Sequence, residues 1–484
     1  MVMLIAAALT FTLTQGSPRE ADYWTVERLR QPEGAVLEVG GMAVIGDRVA
    51  LSTRRGEVWW LDGAFDRAAT DVTFTLAAEG LQEPLGLLWH GDWLYAACRG
   101  ELVRMRDTDG DSRLETFETV SDAWPISGNY HEYNFGPALA PDGSLWITTN
   151  KPFGDEPFGR AKWRGFGMQI QLDGTTTPLV AGLRSPAGIG TAPWGDLFYT
   201  DNQGEWCGAS KLALLAPGTF QGHPHGLFST TDARWPFAPL AAKDIPNRVL
   251  MPDVAAKVPT FRLPTVWFPY DKMGRSPSGF AWDQSGGAFG PFAGQLFVGD
   301  QYDASVMRVE LEQIDGVWQG ACFPFRMGLP SGVIRVVFGP DGTLLAGMSD
   351  RGWGSRGAAT DGVARLRWTG AVPFEVLSMR ASLSGYRIEL TEPADPATLA
   401  DLASYTCESY TYLLHEDYGS PEVDRRPVSV AHAAVHAGGR VVELTLDGLR
   451  EGYVHELRLP GVRSADGRGL LHPRAYHTRI RSPH

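Results

Sequence analysis

Six times between Gly41 and Gly370 the chain repeats one pattern: a small-residue entry, a short apolar run, a Gly/Asp turn, then an alternating strand that ends polar. The copies read GMAVIGDRVALS from Gly41, PLGLLWHGDWLYAA from Pro84, GPALAPDGSLWITT from Gly136, PAGIGTAPWGDLFYT from Pro186, PSGFAWDQSGGAFGPFAGQLFVG from Pro277 and PSGVIRVVFGPDGTLLAG from Pro330. Successive starts lie roughly 43–53 residues apart, with one double-length gap between Pro186 and Pro277. Periods of that size carrying several short strands each are the signature of propeller blades. The expectation is an all-β chain in which residues 18–371 form a six-bladed β-propeller. In that architecture the starts of the inner strands surround one channel. Residues that share a place in the repeat then face a common pocket.

The stretches YWTVERL and AVLEVG, between Asp22 and Gly41, are expected to supply an outer strand to the last blade. Their natural partner is VARLRWTG, Val363 to Gly370, which would close the ring. The proline-rich gap from Gly218 to Arg275 lacks a second copy of the pattern. It reads as an excursion over one face that re-enters the sheet at PTVWFPY (Pro264–Tyr270), the alternative being a seventh, degenerate blade. After Gly370 turns recur about every ten residues, a spacing that suits a β-sandwich. TEPADPATLADLASY and LTLDGLREGYVHELRLPGVRSADGRGL resemble bacterial immunoglobulin-like repeats, so residues 372–484 are expected to form a small Ig-like domain. Such modules bind or pack. The Tyr-rich insertion from Tyr405 to Tyr418 is expected to dock within the chain.

The net charge of −13 leaves no basic excess for a nucleic-acid or anionic-membrane partner. Residues 1–17 open with the apolar run MVMLIAAALTFTLT, of signal-peptide length and too short to span a bilayer. A periplasmic or secreted protein without a transmembrane segment is expected, the alternative being an ordinary first strand over Val2–Leu13. Cys98, Cys207, Cys322 and Cys407 are scattered, with no CxxC pair and no CxxCH haem-attachment site. Neither a zinc knuckle nor haem is supported, and buried free thiols are the expectation.

Two regions carry candidate chemistry. In DTDGDSRLETFE, Asp107, Asp109 and Asp111 alternate, Arg113 offers a carbonyl and Glu118 stands twelfth, the ligand spacing of a calcium loop. Ser112 stands where such loops carry Gly, and the flanks look like strands rather than helices. Structural Ca²⁺, a metal-free acidic turn and a catalytic metal are the readings that remain open. In the second region His131 opens the inner strand of the third blade, where a histidine can serve as a general base. Arg184 and Ser185 occupy the matching mouth of the fourth blade, and the polar DNQGEW follows it. A base and a cation converging on one channel suit an anionic cofactor or a developing oxyanion. The pair His223 and His225 in GHPHG reads as a shaped loop, and SDRGWGSRG as a channel rim in which Asp350, Arg351 and Trp353 meet substrate.

The run from His131 to Pro224 resembles the soluble quinoprotein glucose/sorbosone dehydrogenases, six-bladed propellers that hold pyrroloquinoline quinone (PQQ) with Ca²⁺. Through HEYNFGPALAPDG, GLRSPAGIGTAPWGDLFYTDNQGEW, RSPSGFAWDQSGGAFGPFAGQLFVGDQ and REGYVHELRLPGVRSADG the whole chain is similar to sorbosone-dehydrogenase-like propellers of planctomycete-type bacteria. The resemblance implies His131 as catalytic base, Arg184 beside the quinone oxygens, and Ser185 and Gln82 as cofactor contacts. It also implies that the main chain at Gly204 and Glu205 holds the cofactor's Ca²⁺. Three positions depart. The carboxylate that orients the base falls near Asn150 or Lys151, leaving only Asp155 to reach His131; a cofactor lysine falls near Tyr302; and the last blade's arginines fall at Gly332 and Ile334, beside Arg335. Three functions follow as expectations: PQQ- and Ca²⁺-dependent oxidation of a sugar, with a separate cytochrome as electron acceptor; non-catalytic binding of a sugar or polysaccharide; or a Ca²⁺-dependent lactonase.

Overall fold

A computed structural model describes residues 18–66, 70–154 and 161–484. The signal-peptide expectation and Asp155 lie outside the described residues. The fold is an all-β propeller built from short antiparallel strands. Among the described residues there are five four-stranded sheets, one of eleven strands and one two-stranded ribbon. The four-stranded sheets have as first strands Val39–Ile45, Leu87–His90, Asn134–Leu139, Pro186–Thr191 and Val333–Phe338. The eleven-stranded sheet begins with Pro277–Trp282, Leu296–Asp300, Ser305–Ile314 and Val317–Arg326. These six first strands touch one another in sequence order and close a ring, Val333–Phe338 returning to Val39–Ile45.

The small residues of the repeat are explained by this ring. A Cβ on Gly41 would collide with Gly86, one on Gly86 with Gly136, one on Gly188 with the Ser278 carbonyl, and one on Gly279 with the Ile334 carbonyl. Only glycine lets neighbouring inner strands approach so closely. Five of the six first strands also carry a register shift near their start, between Val39 and Gly41, Phe135 and Ala138, Pro186 and Gly188, Pro277 and Phe280, and Val333 and Arg335. Such bulges re-aim side chains, here at the mouth of the channel.

Two of the connections match the sequence reading. Trp24–Arg28 pairs antiparallel with Asp361–Trp368, Trp24 opposite Trp368, so the chain's start closes the last sheet. Val266–Phe268 pairs with Ser210–Leu214 after the long excursion. Among the described residues no helix is long and apolar enough to cross a membrane. All four cysteines are buried and free.

After Trp368 the strands enclose their own apolar core, including Val376, Tyr386, Ile388, Val442, Leu444, Leu457 and Ala475. The long strand Val423–His436 pairs through its first half with Thr406–Thr411 and through its second with Val441–Asp447, passing from one layer to the other. Arg474–Arg479 pairs with Val317–Arg326, Cys322 opposite Tyr476, so this region continues a propeller sheet instead of hanging from a linker. Tyr410, Tyr412, Leu414 and Tyr476 share a core cluster with Trp267 and Phe261.

One ionic staple joins the ends of the chain. His472 lies between Glu375 (Nδ1 to Oε2, 2.7 Å) and Glu20 (Nε2 to Oε1, 3.0 Å). Burial opposes its charge, but the two carboxylates outweigh burial and raise its pKa to about 9. Because the folded value lies above the ordinary one, the stabilisation is complete below pH ~6.5 and lost as pH rises through about 9. His472→Gln is expected to melt below wild type at pH 6 by an amount equivalent to roughly 2–3 kcal/mol, the gap shrinking by pH 9.5. Melting curves of both proteins across that range check it; a gap independent of pH would contradict the assignment.

Candidate active site

The mouth of the channel is shaped first by polar side chains that fold its loops. The Glu132 carboxylate accepts the amides of Ser127, Gly128 and Asn129 at 2.8, 3.1 and 3.2 Å. Asn129 accepts from the His131 amide at 3.0 Å and donates to the Phe153 carbonyl at 2.8 Å. That tie lays the Phe153 ring on the His131 imidazole, centroids 3.7 Å apart and planes 23° from parallel.

His131 is buried and bonded at both nitrogens. Nδ1 is 2.7 Å from the Lys151 carbonyl oxygen, and Nε2 is 3.0 Å from Ser185 Oγ. A carbonyl only accepts, so Nδ1 carries the proton and Nε2 presents a lone pair to the serine hydroxyl. Asp155, the carboxylate left by the sequence to orient this base, lies outside the described residues, and the Lys151 carbonyl takes Nδ1. Burial, with the charges of Arg184 and Lys151 adding to it, depresses the imidazole pKa to about 3. The ring is a neutral base throughout the physiological range. An anion bound in the cavity would offset those two cations and raise its basicity.

Arg184 and Ser185 are held by one carboxylate. Asp201 accepts their amides at 3.1 and 2.7 Å. The Arg184 guanidinium donates from Nε (3.0 Å) and Nη2 (2.7 Å) to Glu205 Oε2, while Lys151 Nζ bonds Oε1 of the same carboxylate. Burial alone would raise the pKa of Glu205, but Arg184 and Lys151 together hold it well below the ordinary carboxylate range. The triad Lys151–Glu205–Arg184 therefore carries net charge +1 beside a neutral imidazole.

His131, Phe153, Arg184 and Ser185 line a cavity of about 840 Å³ including its open mouth. Arg54, Arg184, Arg275 and Arg351 reach its wall, and its described lining includes no carboxylate. The acids that compensate them stand behind: Glu83 for Arg54, Asp271 for Arg275 and Glu38 for Arg351. Below them Arg335 closes the channel floor, donating to the carbonyls of Ala187, Ile334 and Leu85 at 2.7, 2.6 and 2.5 Å. Aromatic rings complete the wall, with Tyr130, Trp353 and Tyr418 exposed at the mouth.

The sequence-derived site residues fall into three groups. His131, Arg184 and Ser185 converge as expected, and Arg351 and Trp353 line the cavity whereas Asp350 does not. Gln82 is exposed and off the wall; its neighbour Glu83 turns inward at φ +49° to anchor Arg54 and Arg99. Gly204 does not present a free carbonyl for a metal, because that oxygen already accepts the amides of Cys207 (3.1 Å) and Gly419 (3.1 Å). Its lack of a side chain has another purpose: a Cβ there would collide with the Arg184 guanidinium. The Glu205 carboxylate is taken up by Lys151 and Arg184, and its main chain bridges Tyr418.

In the acidic loop Asp107, Asp109 and Asp111 gather with Glu115, their carboxylate oxygens all within 4.8 Å of one another. Glu118 is drawn instead into the strand Thr116–Ser121, where it pairs with Arg104, and the Arg113 amide bonds Asp111 at 2.7 Å. Ser112 adopts φ +73°, the conformation glycine would have supplied. The loop packs on the neighbouring sheet through Trp60 Nε1 to the Ser112 carbonyl, 2.7 Å, and is not part of the channel wall. In GHPHG the buried His223 accepts the His225 amide at 3.0 Å, as a shaped loop should.

Sequence reasoning did not find Arg54, Arg275 or Tyr418. The expected lysine position, Tyr302, lies under Arg275 (4.6 Å from guanidinium carbon to ring centre), so a cation does reach this side of the cavity from another position. The cations of the cavity thus come from Arg54, Arg275 and Arg351 rather than from the positions of Tyr302, Gly332 and Ile334.

No family profile matches the chain, and no curated protein does. Among solved structures the chain is similar to a Thermus thermophilus oxidoreductase assigned as a glucose dehydrogenase, at 21% identity and TM-score 0.50, over 71% of this chain and 99% of that one. It is also similar to a Trichoderma reesei member of Carbohydrate-Active Enzymes Family AA12, at 14% identity and TM-score 0.53, over 75% and 100%. The PQQ-bound aldose sugar dehydrogenase of Streptomyces coelicolor matches at 16% identity and TM-score 0.47, over 73% and 100%. At these identities what the first two share with this chain is the propeller fold.

Proposed function

We propose that this propeller oxidises a hydroxyl or aldehyde group of a sugar, using an anionic quinone of the PQQ kind held in the channel. The observation that carries the proposal is the cavity wall, with four arginines, no carboxylate among its described residues and a neutral histidine base. Such a wall fits a flat polycarboxylate, since each desolvated carboxylate needs a fixed cation. Arg184, Arg54, Arg275 and Arg351 would hold it, with Ser185 and Asn202 as polar contacts. A bound quinone would supply the two-electron acceptor for hydride leaving the substrate carbon. His131 Nε2 would take the hydroxyl proton, Ser185 turning its own hydroxyl aside as the substrate arrives. Lys151 would keep the imidazole in the required tautomer through its carbonyl, and Phe153 would fix the ring plane.

The same wall does not favour a lactonase, whose channel calcium would find no carboxylate among the described lining residues. The non-catalytic alternative is separated by experiment. Glycan binding that survives His131→Ala and needs no quinone would support it, whereas PQQ-dependent dye reduction with aldoses or sorbosone would support oxidation.

The closed ring of first strands supports counting six blades over residues 18–371, the strands from Pro277 to Arg326 forming the fifth. Residues 372–484 are read as an Ig-like sandwich, the protein as exported, and a separate cytochrome as the electron acceptor. The acidic loop is read as a structural calcium clip through Asp107, Asp109, Asp111 and Glu115. Calcium, unlike magnesium, is expected to raise the melting temperature, and Asp109→Asn to abolish the rise. Equal melting with and without calcium would rule the clip out.

A further inference from the structure

The wall of the cavity is not made by the propeller alone. Between Thr411 and Ser420 a strap from the C-terminal region lies on the DNQGEWCG loop. The Trp206 amide donates to the His415 carbonyl (2.7 Å), Gly419 to Gly204 (3.1 Å) and Ser420 to Gly208 (2.8 Å). Leu413–Leu414 pairs with Val249–Leu250, and Tyr412, Leu414 and His415 are buried. From this anchored strap Tyr418 projects into the cavity mouth. Its ring centre lies 5.2 Å from the Arg184 guanidinium carbon, yet the residue is still 55% exposed.

We infer that Tyr418 is a specificity-determining residue of the channel site, selecting flat anions over anions of other shapes. The geometry has two parts. Arg184 is packed by Phe153 (5.5 Å) as well as Tyr418, and Glu205 takes its Nε and Nη2, so the guanidinium has little freedom to follow a ligand. A ligand must therefore conform to Arg184. The exposed ring beside it is held on a bonded strap and offers a pre-ordered surface, against which a flat ligand stacks while a carboxylate meets the cation. A compact tetrahedral-carbon anion gains the cation but not the stack. The C-terminal region is on this view a working part of the site. The inference rests on the reading of the cavity as an anion site, not on the identity of the quinone.

The test uses the full chain and two anions, flat 2,6-naphthalenedicarboxylate and citrate, titrated calorimetrically with PQQ as a third arm. Wild type should prefer the flat anion. Tyr418→Ala should lose about tenfold of its affinity for that anion, while citrate binding changes by less than about twofold. Tyr418→Phe, which retains the ring, should restore the preference. Tyr418 is exposed, so the alanine variant should melt as wild type does. An unchanged ratio in Tyr418→Ala, equal weakening of both anions, or no binding of either by wild type would overturn the inference. Dicarboxylate binding with the expected Tyr418 dependence but no PQQ binding would instead remove the quinone reading and leave Tyr418 as assigned.

Discussion

His131→Ala is expected to lower kcat for sugar oxidation by about 10²- to 10⁴-fold, the usual contribution of a positioned general base. Because the imidazole would act on the proton only as it leaves, kcat and kcat/KM should fall together, with KM little changed. A second effect has to be separated from this one. Removing the ring takes one hydrogen bond from the Lys151 carbonyl and one from the Ser185 hydroxyl, which keeps the Asn150 amide at 3.4 Å, at a cost of about 0.5–1.5 kcal/mol for each lost bond. His131→Asn retains an amide donor and should melt closer to wild type while remaining as inactive. Steady-state kinetics of both variants at matched folded fraction checks the assignment. Asparagine restoring turnover would show the residue to be a spacer.

Arg184→Ala should weaken binding of an anionic cofactor by roughly 10- to 100-fold, the magnitude of one desolvated charge-assisted contact. It should also destabilise the fold, because Glu205 would keep only Lys151 as compensation in a partly dried site. The two losses have different origins, and Arg184→Lys divides them. A lysine keeps a cation beside Glu205 without the planar fork of arginine, so it should recover much of the melting temperature and little of the affinity. Recovery of both would mean that Arg184 serves only as a cation beside Glu205.

The architecture was legible because its cause is local and repeated. Gly41, Gly86, Gly188 and Gly279 recur for one steric reason, the contact of adjacent inner strands, and so mark the ring in the sequence. The pairing of Trp24–Arg28 with the last sheet followed from strand pattern alone. His131, Arg184 and Ser185 were legible because each opens an inner strand. What escaped depends on which atom of a residue is used. Lys151 acts on His131 through its backbone oxygen, which no side-chain pattern reveals. Gly204 likewise looked like a metal carbonyl, although its defining property is the room it leaves for Arg184. Arg275 holds before Pro277 the place that Arg184 holds before Pro186, the same Arg-Ser-Pro, and the repeat could have revealed it; Arg54 follows a second strand, and Tyr418 comes from a strap more than two hundred residues after Arg184. Glu118 fits the loop by count, but alternation in TFETVS already turned that stretch into a strand, and Glu115 is the carboxylate that remains within reach.

The central claim, that the arginine-lined channel holds an anionic quinone for His131-dependent oxidation, is tested most directly by titrating the purified full-length protein with PQQ. Binding is followed by tryptophan fluorescence before an aldose and an artificial electron acceptor are added. Saturable binding of one PQQ per chain, followed by dye reduction lost in His131→Ala, is the result predicted here. Absence of saturable binding up to about 1 mM, an affinity weaker than about −4 kcal/mol, would contradict it.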